Sequence, residues 1–116
     1  MTESNSILSL LDNFTLTNSD DIALTIAGDF RKRRIEKGFT RKQFAEKAGV
    51  PAPTLTRFEQ KGLISLTNLI KLAIGLGYTS EITSIFATPK YSTMDELQQI
   101  RRNTGKKKAS GHPLPE

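Results

Sequence analysis

Apolar residues recur at helical spacing along most of the chain, and no alternation typical of a β-strand persists for five or more positions. The first long group follows two candidate N-caps, Asn18 and Ser19, and Gly38 is suited to end the helix. Its inward face is predicted to hold Ile22, Ala23, Ile26, Ala27 and Phe30. The pattern therefore predicts an all-α fold.

The middle of the chain predicts two short helices joined by a tight turn. Thr40 and Gln43 have the spacing of a capping box, so a helix should begin at Arg41 and end at Gly49. A second helix follows from about Ala52. The predicted inward residues of this pair are Phe44, Ala45, Ala48, Leu55 and Phe58. Two short helices around a turn that contains glycine are typical of a helix-turn-helix.

Three further helices are predicted, beginning after Ser65, Ser80 and Ser92, with the last one ending near Arg102. Their predicted inward residues are Leu66, Leu69, Ile70, Ala73 and Leu76, then Ile82, Ile85 and Phe86, then Met94, Leu97 and Ile100 or Arg101. The last of these stripes is too narrow to bury the helix fully by itself.

A separate apolar stripe lies near the N-terminus, formed by Ile7, Leu10, Leu11 and Phe14. It predicts a short amphipathic helix that packs back on the domain or contacts a second copy or another partner. We therefore expect an N-terminal extension at 1–19, a domain at 20–87, a C-terminal helix at 88–102 for a dimer or partner contact, and a disordered basic tail at 103–116.

One motif runs through four of the predicted helices. Its residues are Phe30-Arg31-x-x-Arg34-x-x-x-Gly38-Phe39-Thr40, Phe44 to Val50, Thr54 to Glu59, and Ser65-Leu66-x-x-Leu69-x-x-Leu72-Ala73 continued by Leu76-Gly77. The motif resembles the helix-turn-helix repressors of the Cro and xenobiotic-response-element (Xre) family, over about residues 26–78. The resemblance implies a compact, five-helix, lambda-repressor-like domain that binds double-stranded DNA. It also implies that Arg34 forms a structural ion pair with Glu59.

Residues near the start of the second motif helix reach base edges when such a helix enters the major groove. Here these residues are Ala52, Pro53, Thr56 and Arg57. Arg57 is the candidate for a bidentate contact with guanine, and a phosphate contact is its alternative. Ala52 and Pro53 carry no donor, so we expect sparse base readout to which DNA shape contributes.

The candidate phosphate-binding residues are Arg41, Lys42, Thr54 and Lys61. The resemblance places Arg41 where the family commonly has a phosphate-binding glutamine, and an arginine keeps that role. Thr54 is alternatively a buried packing residue. Pro51 replaces the family's usual Ser or Thr cap, so its side chain cannot satisfy the first amides of the helix.

Charge is unevenly distributed along a chain whose formal net charge is +5. Residues 1–29 hold five acids and no base, residues 31–61 hold ten bases and three acids, and residues 101–108 hold five bases and no acid. This distribution predicts a polyanionic partner. The sequence contains no cysteine, which fits a reducing cytoplasm. It also contains no run of 18 apolar residues, so no membrane span is predicted.

A catalytic role is not supported by the residue inventory, because the single histidine, His112, lies in the tail and no phosphate-binding loop or metal-ligand spacing occurs. No cofactor is predicted. The favoured function is a transcriptional repressor that binds an inverted repeat as a homodimer. A compatible hypothesis is an antitoxin that binds a Hip-type kinase toxin, because the extensions at 1–19 and 79–116 exceed what DNA binding requires. An RNA-binding or scaffold protein is the third alternative.

Overall fold

The computed structural model describes residues 18–110 of the chain, and side chains as far as residue 105. Within this range it contains six helices and no strand, so the predicted all-α fold is confirmed. The helices are α1 Ser19–Glu36, α2 Arg41–Ala48, α3 Ala52–Lys61, α4 Leu66–Leu76, α5 Thr79–Thr83 and α6 Met94–Ser110. The predicted helix around residues 7–14 and the end of the predicted tail lie outside the described residues. Of the helices described, none has the length and apolar character needed to cross a membrane.

Side-chain caps fix where three of the first four helices begin. Asn18 Oδ1 accepts a hydrogen bond from the Asp21 amide at 2.8 Å and starts α1. Both halves of the predicted capping box are present, because Thr40 Oγ1 accepts from the Gln43 amide and Gln43 Oε1 accepts from the Thr40 amide. At the start of α4, Ser65 Oγ accepts a hydrogen bond from the Asn68 amide at 3.2 Å. Only α3 begins without a side-chain cap among these four, at Pro51.

The core lies where α1, α2, α3 and α4 meet. Its buried apolar residues are Ala27, Phe30, Phe44, Ala45, Val50, Leu55, Phe58, Leu72 and Leu76. The Phe30 ring lies edge-on to Phe44 at 5.3 Å and to Phe58 at 5.6 Å between centroids. Edge-to-face pairs of this kind contribute about 0.5–1.5 kcal/mol beyond area burial. One ring of α1 therefore joins both helices of the central pair.

A glycine with a left-handed backbone conformation ends each helix of the pair. Gly49 ends α2 with φ of 75°, a left-handed conformation that L side chains rarely adopt, and the chain then turns into α3. Gly62 ends α3 with φ of 71°, and a Cβ built there would lie 3.1 Å from the backbone of Ala23 in α1. The left-handed conformation of Gly49 thus permits the turn into α3, and the missing side chain of Gly62 permits the close approach of α3 to α1.

Several predicted core residues are largely exposed. Leu66 is 67% exposed, and Ile22 and Ile26 are about half exposed, whereas Leu72, which the stripe prediction omitted, is fully buried. In α4 seven of the eleven residues are apolar, and they cover about 200° of the helix, so periodicity alone could not identify which part of this wide face is buried. In α1 the buried face contains Ala27, Phe30 and Arg34, so the two isoleucines lie at its edge.

The chain divides into two compact units, Met1–Ile82 and Thr83–Glu116. The helix predicted over 80–86 is shorter than expected and ends at Thr83, which leaves Phe86 94% exposed. In the second unit α6 continues to Ser110, beyond the predicted start of the disordered tail at Asn103. Lysine and alanine are good helix formers, and the Thr104 hydroxyl bonds the Ile100 carbonyl inside this stretch. Thr93 Oγ1, rather than Ser92, accepts from the Glu96 amide at the start of α6.

Gly75 and Gly28 form a matched pair for testing the packing of the core. A Cβ at Gly75 would lie 2.9 Å from Cζ of the fully buried Phe44, whereas a Cβ at Gly28 would meet nothing within 4 Å. We expect Gly75→Ala to destabilise the protein by about 1–2 kcal/mol through overpacking. Gly28→Ala should stabilise it by about 0.5–1 kcal/mol, because alanine loses less backbone entropy in a helix. Urea denaturation measures both, and equal stability of the two variants would contradict this account of the core.

Candidate nucleic-acid interface

The outward side of α3 forms one shallow open recess. It is lined by Ala52, Pro53, Thr56, Arg57, Gln60 and Lys61. The structure thus brings together all four residues predicted to reach base edges. Arg57 is exposed, while Ala52 is half buried and also packs against the core. Lys61, predicted as a phosphate ligand, lies at the same recess.

Gln60 belongs to this surface, although the sequence reasoning did not select it. It is exposed and follows Thr56 by four residues and Arg57 by three, so it lies on the same face of α3. That spacing was available in the sequence. Gln60 was missed because base contacts were expected only from residues near the start of the helix.

A second recess lies at the start of α2 and is lined by Arg31, Arg34, Ile35, Thr40, Arg41 and Lys42. Two predicted phosphate ligands, Arg41 and Lys42, lie here beside Arg31 of α1. Neither α2 nor α3 has an acidic residue in its first turn, in contrast to α1 with Asp20 and Asp21. Neither helix therefore carries an acidic side chain of its own that would offset the positive end of its dipole.

The remaining candidate, Thr54, is half buried and lines neither recess. Its amide and that of Leu55 both donate to the Pro51 carbonyl, at 3.0 and 3.2 Å. These two amides are thus already paired at the uncapped start of α3. Among the described residues no group of three His, Asp or Glu side chains is placed to hold a metal ion.

A buried carboxylate joins α3 to both preceding helices. Arg34 donates from Nε to Glu59 Oε2 at 2.7 Å and from Nη2 to Oε1 at 2.9 Å, a bidentate pair in which the glutamate side chain is 0% exposed. Arg34 Nη1 also donates to the Phe39 carbonyl at 2.7 Å. The pair implied by the family resemblance therefore lies between α1 and α3 and extends into the loop before α2.

Arg41 is the third member of this cluster. Its Nε donates to Glu59 Oε1 at 3.0 Å, and its side chain is 36% exposed. The sequence reasoning assigned Arg41 only to phosphate, because nothing in the spacing shows that the first residue of α2 lies beside the middle of α3. Arg41 thus has a structural bond on one side and solvent access on the other.

The cluster perturbs the ionisation of Glu59. Burial of the carboxylate raises its pKa, but hydrogen bonds from Arg34 and Arg41, together with their positive charges, lower it by more. The pKa of Glu59 in the folded protein therefore lies below its ordinary value of 4.5.

This shift predicts an acid-labile contribution to stability. Since the folded state binds the proton of Glu59 more weakly than the unfolded state, the contribution is present above pH 4.5 and is lost as the pH falls through the folded pKa. Glu59→Gln should lower the free energy of unfolding by about 3–5 kcal/mol near neutral pH, because it leaves two guanidinium groups without their anion. The gap between wild type and variant should narrow on acidification.

Urea denaturation at a series of pH values measures this gap. Glu46→Gln is the control, because it removes an exposed carboxylate from α2. A gap for Glu59→Gln that stays constant from neutral to acidic pH would show that the charge of this carboxylate does not stabilise the fold.

The comparison with known proteins finds similarity in the part of the chain that contains the two recesses and the ion cluster. Residues 30–82, slightly less than half of the chain, match the family model described as helix-turn-helix. No curated protein matches the sequence. The matched segment contains α2, α3, α4 and the end of α1 that carries Arg34. Residues 30–82 are therefore similar to helix-turn-helix domains of the Xre/Cro type, and the all-helical residues 18–110 are consistent with a compact lambda-repressor-like fold, which supports a DNA-binding transcription regulator.

Proposed function

We propose that this protein is a sequence-specific repressor that binds double-stranded DNA as a homodimer on an inverted repeat. The observation that carries the proposal is the exposed outer face of α3, held in place from behind by the Glu59 ion cluster. A helix fixed in this way can enter the major groove as a rigid unit.

Base readout is assigned mainly to Arg57. It is one of two exposed cations that line the α3 recess, the other being Lys61, and arginine donates in a bidentate manner to O6 and N7 of guanine. Thr56 and Gln60 supply further polar groups beside it. Ala52 and Pro53 offer only apolar contact, for example with a thymine methyl group.

Phosphate contacts are assigned to Arg41 and Lys42 at the second recess, with Lys61 at the far end of α3. Arg31 joins this group because it lines the same recess as Arg41. Thr54 remains a candidate through its half-buried hydroxyl. Each neutralised phosphate makes the log–log salt dependence of binding steeper by about 0.9.

We propose a dimer because the interface between one helix-turn-helix and DNA is small. One helix-turn-helix covers little DNA, and two copies on half-sites about 34 Å apart are the usual solution. Exposed apolar side chains suited to pairing with a second copy occur in the second unit, namely Ile85, Phe86 and Met94. The candidate surfaces are the segment 80–86 and the stripe of Met94, Leu97 and Ile100.

Recognition of single-stranded RNA is less well supported. It usually depends on exposed aromatic side chains that stack on bases. Phe30, Phe44 and Phe58 are buried in the core, and Phe39 packs against it. Tyr78, Phe86 and Tyr91 are exposed, but no aromatic side chain lines either of the two recesses. Comparing duplex DNA with single-stranded RNA at one salt concentration separates the two functions.

Arg57 and Lys42 give a matched test of base reading against phosphate binding. After selection of a preferred duplex from random sequences, we expect Arg57→Ala to reduce the preference for it over random DNA by about 1–3 kcal/mol. Lys42→Ala should weaken both duplexes equally and reduce the salt slope by about 1. Arg41→Ala is a poorer probe, because it also removes a hydrogen bond to Glu59.

Fluorescence anisotropy over a range of salt concentrations measures both effects. A duplex with a single half-site should bind more weakly than the full inverted repeat. Equal losses on preferred and random DNA for Arg57→Ala would reject its role as a base reader.

We further propose that the protein acts as an autoregulating antitoxin that holds a Hip-type kinase toxin inactive. The support is the second unit, which continues after the matched domain with α6 and exposed apolar residues such as Phe86 and Met94. Co-expression with the product of the neighbouring open reading frame should yield a stable complex. If no partner co-purifies and the neighbour alone is harmless, the protein is a stand-alone regulator.

A further inference from the structure

Arg34 and Arg41 use their guanidinium nitrogens differently, although both bond Glu59. All three nitrogens of Arg34 are engaged, because Nε and Nη2 donate to the Glu59 carboxylate and Nη1 donates to the Phe39 carbonyl. Arg41 donates to Glu59 only through Nε, at 3.0 Å. Its two terminal nitrogens have no hydrogen-bond partner among the described residues and are not buried. Arg41 therefore keeps the donors at the outer end of its guanidinium group for another acceptor.

We propose that Glu59 is a positioning residue for DNA binding, which holds Arg41 by Nε so that Nη1 and Nη2 together donate to one backbone phosphate. This inference rests on the proposed phosphate contact of Arg41 and adds the group that fixes its geometry. A guanidinium group is planar, and its donors form a rigid fork. Because Glu59 occupies Nε, only the edge formed by the two terminal nitrogens can bind a phosphate as a bidentate pair.

The carboxylate that holds Arg41 is itself fixed. The Glu59 side chain is 0% exposed, and the Arg34 side chain that binds both of its oxygens, at 2.7 and 2.9 Å, is 7% exposed. The Arg41 side chain is 36% exposed and lines the second recess beside Arg31 and Lys42. One side chain thus connects the buried ion cluster with the cationic surface.

Holding Arg41 in advance lowers the cost of binding. Ordering a long, flexible side chain on association weakens binding by about two- to twelvefold. Arg41 has lost part of this freedom in the free protein, because its Nε is bonded to Glu59. In α1, Arg33 pairs with Glu36 at 3.1 Å, whereas the exposed Arg31 has no ion-pair partner within residues 18–105. Arg31 must therefore be ordered when DNA binds, and Arg41 is the prepared contact of the recess.

NMR of the arginine Nε–H groups in isotope-labelled protein tests the anchoring of Arg41 without DNA. At mildly acidic pH, we expect the Nε proton of Arg41 to exchange with water at least about tenfold more slowly than that of Arg31, because a hydrogen-bonded proton must be released before it exchanges. The Arg41 signal is identified by its loss in Arg41→Lys. The result does not depend on the proposed function. Equal exchange rates for the two arginines would overturn the inference.

Charge-conserving substitutions test the bidentate contact. Arg41→Lys keeps the positive charge, but its single nitrogen would have to serve both Glu59 and the phosphate. We expect the lysine to remain with the buried carboxylate, which weakens binding to the preferred duplex by about three- to tenfold and lowers the salt slope by about 0.9. Arg33→Lys is the matched control, because Arg33 also pairs with a glutamate but lines neither recess. It should change the affinity by less than about twofold.

Fluorescence anisotropy over a range of salt concentrations measures both variants, and urea denaturation establishes that each is folded at the temperature used. Equal affinities of the two variants would overturn the inference, since both retain the wild-type charge. A weaker affinity of Arg41→Lys with an unchanged salt slope would also overturn it, because Arg41 would then act only within the fold. Failure of the wild-type protein to bind any duplex would instead reject the proposed function, and the phosphate partner of Arg41 with it.

Discussion

The carboxylate of Glu59, held between two guanidinium groups, determines how α3 sits against the rest of the domain. Arg34 reaches it from α1 and Arg41 from the first residue of α2, while Arg34 also binds the carbonyl of Phe39. Apolar contacts are non-directional and tolerate rotation of a helix about its axis. A bidentate arginine–carboxylate pair does not, because both hydrogen bonds depend on one planar geometry.

The resulting orientation places cationic and polar side chains on the opposite, outward face of α3. Leu55 and Phe58 share the inward side with Glu59, and helical spacing then directs Arg57 and Gln60 outward. The close approach of Gly62 to Ala23 positions the end of the same helix. Apolar packing, the ion cluster and the glycine therefore all favour the same placement of α3. A sequence specifies one structure when its separate interactions favour the same arrangement in this way.

Some features of the fold and of the candidate site were predictable from sequence because they depend on residues that lie close together in the chain. The capping box of Thr40 and Gln43 acts between residues three apart, so its signal is complete within a short window. The outer face of α3 follows from spacing alone once its inward residues are known. The pairing of Arg34 with Glu59 spans 25 residues, and it was reached only through the family resemblance.

Other features depend on tertiary context that no local pattern contains. The inner face of α4 was misassigned at Leu66, because the apolar face of this helix is wider than its buried part and only the completed core distinguishes Leu72. The role of Arg41 was incomplete for a related reason. Its partner lies 18 residues away in the chain and is shared with Arg34, so neither spacing nor composition indicates the contact.

The stoichiometry of the ion cluster connects stability with binding. Two arginines against one glutamate leave one net positive charge, so the fold is secured without neutralising the surface. Arg41, the more exposed of the two arginines, is also the one that lines the second recess beside Lys42 and Arg31. The excess charge therefore lies at the start of α2, whose first turn has no acidic side chain of its own. A single buried glutamate thus orients the helix proposed to read bases and leaves the neighbouring surface cationic, as the proposed phosphate contacts require.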